Sequence, residues 1–167
     1  LLVKTILVTG GAGYIGSHTC VELLREGYDL VVVDNLSNSR IEAVDRVRAI
    51  SGRDFPFYRL DVCDREALAG IFGKHAPDAV IHFAGLKSVG ESVSMPLRYY
   101  RNNLDSTLSL CEVMQDFSVR RLVFSSSATV YGTPERVPIT EDFPLSCTNP
   151  YGWTKFMNEQ ILRDLGL

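Results

Sequence analysis

The chain has 167 residues, of which 46% are apolar, 22% charged and 10% aromatic, with a formal charge of −3. A chain of this size buries roughly 70% of its unfolded surface, so it folds without a disulfide or metal staple, and its apolar content excludes disorder. The acidic balance speaks against a nucleic-acid-coating protein, and there is no apolar run of about 18 residues to span a membrane.

Leu1-Leu2-Val3 is broken by Lys4-Thr5 and leads into a strand near Thr5-Thr9, which reads as strand entry and not as a signal peptide. Val8-Thr9-Gly10-Gly11-Ala12-Gly13-Tyr14-Ile15-Gly16 follows, a Gly-x-x-Gly-x-x-Gly turn that opens a helix over Tyr14-Glu26. In such a turn Gly10 makes the sharp bend, Gly13 lets a pyrophosphate approach the backbone, and Gly16 lets the helix pack closely on the sheet. The helix amino terminus then favours the phosphate charge. Glycines also mark plain tight turns; the position between a strand and a helix is what points to a dinucleotide. The second strand, Asp29-Asp34, ends on an acid eighteen residues past Gly16. A carboxylate there accepts from the adenosine ribose hydroxyls and repels a 2′-phosphate, which selects NAD over NADP. The other role open to Asp34 is to cap the helix expected over Arg40-Ile50.

A third strand, Phe55-Leu60, leads to Asp61-Val62, where an adenine edge would lie. Asp61 either accepts from the adenine amine or caps the next helix, Arg65-Lys74. The fourth strand, Ala79-Phe83, carries His82, read as a satisfied core histidine. It runs into Ala84-Gly85-Leu86-Lys87, small residues where a dinucleotide would cross the sheet, with Lys87 either a phosphate or ribose contact or a solvated surface lysine. A helix over Pro96-Phe117 precedes a fifth strand, Arg121-Ser126, which ends in Ser125-Ser126-Ser127. Tyr131-Pro150 is a long irregular segment with Pro134, Pro138, Pro144 and Pro150, a length that usually marks a functional loop. The last helix, Tyr151-Leu165, starts after Pro150 and carries Trp153, Met157, Ile161 and Leu165 as one apolar stripe.

Strands alternating with helices predict an α/β fold with a doubly wound parallel sheet, which takes its ligand at the carboxyl ends of its strands. Nearly every motif above falls at such an end. Tyr151 and Lys155 lie four apart on one helix face. With a strand-five hydroxyl they form a proton-transfer unit suited to a nicotinamide. A free tyrosine titrates near pKa ~10, and a nearby ammonium and a cationic nicotinamide both stabilise a phenolate. Cys20, Cys63, Cys111 and Cys147 are scattered with no Cys-x-x-Cys, so no metal site or disulfide framework is expected, and a reducing cytoplasm fits.

Thr9-Gly10-x-x-Gly13-x-x-Gly16, Pro77-Asp78-Ala79-Val80-Ile81-His82-Phe83-Ala84 and Tyr151-x-x-x-Lys155 resemble the marks of the extended short-chain dehydrogenase/reductase family, over essentially the whole chain. Within it, Gly10 to Cys20, His82 to Val93 with Tyr99-Tyr100-Arg101-Asn102-Asn103, and Phe124 to Gly132 are similar to the branch that inverts UDP-hexoses at C4. The most specific part is Lys87-Ser88-Val89-Gly90-Glu91-Ser92. The resemblance implies a Rossmann-like sheet with helices on both faces. It makes residues 1–167 the NAD-binding domain, an amino-terminal part of a larger two-lobed enzyme that is inactive without its nucleotide-sugar lobe. The implied activity, a step of galactose metabolism, interconverts UDP-galactose and UDP-glucose through a transient 4-keto sugar with tightly held NAD.

Carried over by motif, the resemblance assigns NAD contacts to the glycine turn (Gly10, Gly13, Tyr14, Ile15, Gly16) and to Asp34, Asn35, Leu36, Ser37, Asn38 and Ser39. It assigns further ones to Asp61, Val62, Phe83, Ala84, Gly85, Leu86, Lys87 and Asn102. Tyr151 becomes the general base and Ser127 the hydroxyl that assists it, with Ser126 as the alternative. Lys155 tunes Tyr151 and binds the nicotinamide ribose, and Lys87, Ser127 and Tyr151 meet the sugar substrate. A homodimer through the helices near Pro96-Phe117 and Tyr151-Leu165 is also implied. A UDP-glucuronate epimerase or decarboxylase and a non-catalytic NAD-binding module are the alternatives. A 4,6-dehydratase is disfavoured because Ala128-Thr129 stand where it needs carboxylates.

Overall fold

β1 (Thr5–Thr9) is the axis of a five-stranded parallel sheet in the computed structural model, which describes residues 4–166. The Leu1-Leu2-Val3 lead-in lies outside those residues. On one side β1 pairs with β2 (Asp29–Asp34), Thr9 opposite Val33, and on the other with β4 (Ala79–His82), Thr9 opposite His82. β3 (Phe57–Arg59) flanks β2 and β5 (Leu122–Phe124) flanks β4, giving the order β3-β2-β1-β4-β5. Leu7, Val8, Val32 and Val33 are fully buried, as expected of inner strands covered on both faces. This is the Rossmann-like sheet the motifs imply, and the winding reverses between β1 and β4, where such sheets take their ligand.

α1 (Tyr14–Arg25), α2 (Ile41–Ser51) and α3 (Arg65–His75) follow the first three strands. Cys20, Val21 and Leu24 of α1 and Val44 and Val47 of α2 pack with Ile6, Val8 and Val32 in one core cluster. α3 is capped by Asp64, whose side chain accepts from the Ala67 amide at 3.1 Å. Asp61 is therefore not the cap of that helix. Nor does Asp34 cap α2, whose cap position is Arg40. His82 is a core histidine, with Nδ1 2.6 Å from Thr9 Oγ1 and its ring stacked on Phe124. None of the four cysteines is in a disulfide among the described residues.

Contacts divide the chain into two compact units, Leu1–Ala84 with Leu108–Ser125, and Gly85–Thr107 with Ser126–Leu167. The sheet lies in the first. The second holds α4 (Val89–Ser94), the first half of α5 (Pro96–Asp116), a 3₁₀ turn at Ala128–Tyr131 and α6 (Pro150–Asp164). α4 and the 3₁₀ turn have no counterpart among the sequence-based elements. α4 does carry a signal, because Ser88-x-x-Glu91 is a capping box and the Ser88 hydroxyl accepts from the Glu91 amide.

The apolar stripe of α6 faces the other way from what a core stripe requires. Trp153, Met157 and Leu165 are each about two-fifths exposed, while Tyr151, Gly152, Thr154, Lys155, Asn158 and Leu162 are buried. Periodicity finds a stripe but does not say which face turns inward. Here the inward face carries polar groups bonded within this unit, Thr154 and the Asn158 amide nitrogen to Asn103, while Asn158 Oδ1 has no partner among the described residues. Among the described residues no helix is long and apolar enough to cross a membrane.

Candidate active site

In the first unit, the turn after β1 is shaped by close backbone approach. Gly10 has φ +69°, and a Cβ there would lie 2.6 Å from the Ala84 nitrogen; one on Gly16 would lie 2.3 Å from the Gly10 oxygen. No side chain with a Cβ fits either place without moving the backbone. α1 starts at Gly13 with no side-chain cap and no acid in its first turn. The amides of Tyr14, Ile15 and Gly16 have no acceptor among the described residues. Open N–H groups at an uncapped helix start are what a phosphate needs, so these residues fit a dinucleotide. Tyr14 and Ile15 beside them are 74% and 57% exposed.

Asp34 is buried and already committed in part. Oδ2 accepts from the Ala12 amide at 3.0 Å, and Oδ1 accepts from the Leu36 amide at 2.9 Å and the Ser39 hydroxyl at 2.7 Å. It thus ties the glycine turn to the loop after β2. A carboxylate has about four acceptor positions, so one is left for a ribose hydroxyl. Asn35 donates to Asp61 at 3.0 Å, as does the Cys63 amide at 3.0 Å. Burial raises the Asp61 carboxyl, but these bonds from Cys63 and Asn35 outweigh it and hold its pKa below the usual carboxylate value. Val62 is buried, and Ser37 and Asn38 are exposed. After β4, the Phe83 amide donates to the Thr9 carbonyl at 3.0 Å and the Ala84 amide to Thr9 Oγ1 at 3.3 Å.

In the second unit, Asn149 and Pro150 set the start of α6, with the Asn149 side chain accepting from the Gly152 amide at 2.8 Å. Gly152 rides on the 3₁₀ turn, where a Cβ would come within 3.0 Å of the Thr129 carbonyl. That approach sets the Ser127 turn against the helix that carries Tyr151. Lys155 Nζ lies 6.0 Å from the centroid of the Tyr151 ring, and burial pulls the Lys155 ammonium down to about 8. It stays mostly protonated at neutral pH, which places a positive charge beside the Tyr151 ring.

The serines separate by their partners. Ser126 donates to the Glu159 carboxylate and is committed to it. Ser127 accepts from the Thr129 amide at 3.2 Å and the Thr129 hydroxyl at 2.9 Å, while its own O–H has no acceptor among the described residues. Ser127 is the hydroxyl with a proton to offer a ligand. Lys87 is exposed, and Asn102 is half-buried, donating to Asn103 Oδ1 at 3.0 Å.

Two residues escaped the sequence reading. Asn103, buried, accepts from the Leu86 amide at 2.8 Å and donates to the Leu86 carbonyl at 2.9 Å and to Thr154 Oγ1 at 3.0 Å. It fixes the Gly85-Leu86-Lys87 segment to α6, and only its position beside Asn102 hinted at this. Glu159 could have been found, since it continues the Tyr151, Lys155 spacing by one more helical turn.

The family described as NAD dependent epimerase/dehydratase matches residues 6–166. A UDP-glucose 4-epimerase from Bacillus subtilis is 66% identical over 160 residues, covering 96% of this chain and 47% of that protein. One from Dictyostelium discoideum is 59% identical over 160 residues, covering 96% of this chain and 46% of that protein. A solved structure, UDP-glucose 4-epimerase from Bifidobacterium longum in complex with NAD+ and UDP, superimposes with a TM-score of 0.95 at 53% identity, covering 97% of this chain and 49% of that one. The chain thus spans about half the length of the curated relatives it matches. With the glycine turn, the acid ending β2 and the buried Tyr151 and Lys155 all inside the matched span, this chain belongs to the NAD dependent epimerase/dehydratase family.

Proposed function

We propose that this chain is the dinucleotide-binding and proton-transfer part of a UDP-glucose 4-epimerase, interconverting UDP-galactose and UDP-glucose. The observation that carries the reading is the buried Tyr151 and Lys155 pair on α6, packed beside the turn that offers the Ser127 O–H. The names of the relatives above favour the substrate over other nucleotide sugars. In this reading the open amides of α1 hold the phosphates, and the spare acceptor position of Asp34 takes a ribose hydroxyl. NAD, when bound, supplies reversible hydride acceptance. Ser127 orients the sugar oxygen, and Tyr151 takes the proton of the 4-hydroxyl. Tyr151 later returns that proton to the 4-keto oxygen, after the sugar has presented its opposite face. Lys155 steadies the charge on Tyr151 meanwhile. The same reading makes the protein cytoplasmic and homodimeric. The scattered cysteine thiols support the first, and the exposed Leu97, Trp153 and Met157 support the second.

A proton NMR time course of UDP-galactose with the full-length gene product and no added NAD tests this. Growth of the UDP-glucose anomeric signal is expected. Turnover of UDP-glucuronate alone would move the substrate to the uronic acids and overturn the proposed one. Asp34→Ala is expected to raise the ratio of NADP to NAD affinity and to lower the melting temperature, because it removes both the ribose acceptor and the bonds to Ala12, Leu36 and Ser39. Titration of both dinucleotides checks the first effect, and an unchanged ratio would remove Asp34 from cofactor selection.

A further inference from the structure

The sequence stretch Lys87-Ser88-Val89-Gly90-Glu91-Ser92 and the later Tyr99 are joined by one half-buried hydrogen-bond network. Tyr99 is fully buried, and its ring packs with Leu86 and Tyr151 in a single cluster. Its hydroxyl donates to Glu91 Oε2 at 2.7 Å and accepts from the Ser88 amide at 3.0 Å. Glu91 is itself held by Arg98, whose Nη1 lies 2.6 Å from Oε1. Burial and the Glu91 carboxylate both raise the Tyr99 pKa, so its proton stays on as the donor.

The arrangement goes beyond filling space. A phenylalanine would pack against Leu86 and Tyr151 equally well, yet it would leave the Ser88 amide and the Glu91 carboxylate without this partner. The tyrosine hydroxyl pins the backbone that carries Lys87, while its ring bears on Tyr151. One side chain thus ties the placement of the proton acceptor to that of the Lys87 segment.

Resting on the proposed epimerase reading, we infer that Tyr99, anchored by Glu91, is a positioning residue for Tyr151 and for the Lys87 segment. Small displacements at a reacting centre reduce turnover strongly, by as much as about 100-fold for 1 Å. In the full-length protein loaded with NAD, Tyr99→Phe is expected to lower kcat about 10-fold, with the KM for UDP-galactose within about twofold of the parent. Glu91→Leu should do the same. The double variant Tyr99→Phe/Glu91→Leu should be no slower than Tyr99→Phe, because the Tyr99–Glu91 bond is already absent from that single variant. Glu91→Gln keeps a carbonyl acceptor for the Tyr99 hydroxyl and should restore most of the kcat lost in Glu91→Leu.

The parent enzyme is the control for the underlying reading: if it does not epimerise UDP-galactose, that reading fails first. If the parent turns over and Tyr99→Phe keeps full kcat, the positioning role is overturned, even where the melting temperature falls. Multiplicative losses in the double variant would equally overturn the role of the shared Tyr99–Glu91 bond. A folding failure of Glu91→Leu leaves the test to Tyr99→Phe and Glu91→Gln, which retain the ring and the acceptor respectively.

Discussion

Tyr151→Phe in the full-length protein lowers kcat by about 10²–10⁴-fold while NAD stays bound, the range typical of losing one positioned proton acceptor. The ring of Tyr151 packs with Leu86 and Tyr99, and phenylalanine keeps that packing, so the fold and the cofactor are expected to survive. Only the oxygen that the proposed reaction uses is removed. Measuring kcat alongside the nucleotide released on denaturation separates the two effects. Parent-like turnover would exclude Tyr151 as the base, and loss of NAD would show that its hydroxyl holds the cofactor.

Lys155→Met is expected to abolish turnover yet stabilise the nucleotide-free protein at neutral pH. Lys155 is 6% exposed, and burial lowers its pKa from 10.5 to about 8. The folded state therefore binds this proton more weakly than the unfolded state. Below pH 8 both states carry the proton and the whole penalty of the buried charge is present, about 3 kcal/mol. Between pH 8 and 10.5 the unfolded state holds more protons, so stability rises with pH across that window. The Met variant lacks this rise, so its advantage over the parent should shrink toward zero by pH 10.5. Urea unfolding of both proteins from pH 7 to 10.5 reads the difference directly. Parallel stability curves across that range would mean that Lys155 carries no such burial cost. In the proposed reaction, this site gives up stability to hold a charge beside the proton acceptor.

β1 and β2 were legible to the residue, Thr5–Thr9 and Asp29–Asp34, because inner strands covered on both faces must be continuously apolar. β3 and β5 are shorter than their apolar runs, at Phe57–Arg59 and Leu122–Phe124. Edge strands extend only as far as a neighbour pairs with them, and the sequence does not state that limit. The glycine turn was legible since only glycine tolerates the contacts at Gly10 and Gly16. Tyr151 and Lys155 were legible as a spaced pair on a helix. The inward face of α6 was not, because its burial depends on partners remote in sequence, such as Asn103 for Thr154 and Asn158. Its sequence leaves Asp34 either a cofactor role or a helix-capping role. The structure adds its bond to Ala12, a tertiary contact that no local pattern reveals.

The strand order also sets the timing of assembly on the ribosome. Ile6 pairs with Leu30 on one side but with Ala79 on the other, so the second pairing closes a loop roughly three times longer, at an extra cost on the order of 1 kcal/mol. The β1-α1-β2 unit can form once Asp34 has emerged, whereas the other edge of β1 must wait for His82. At ordinary elongation rates that wait is on the order of 2–10 s. For those seconds the future centre of the sheet is an unprotected edge strand of Ile, Leu and Val, the species a nascent-chain chaperone would meet.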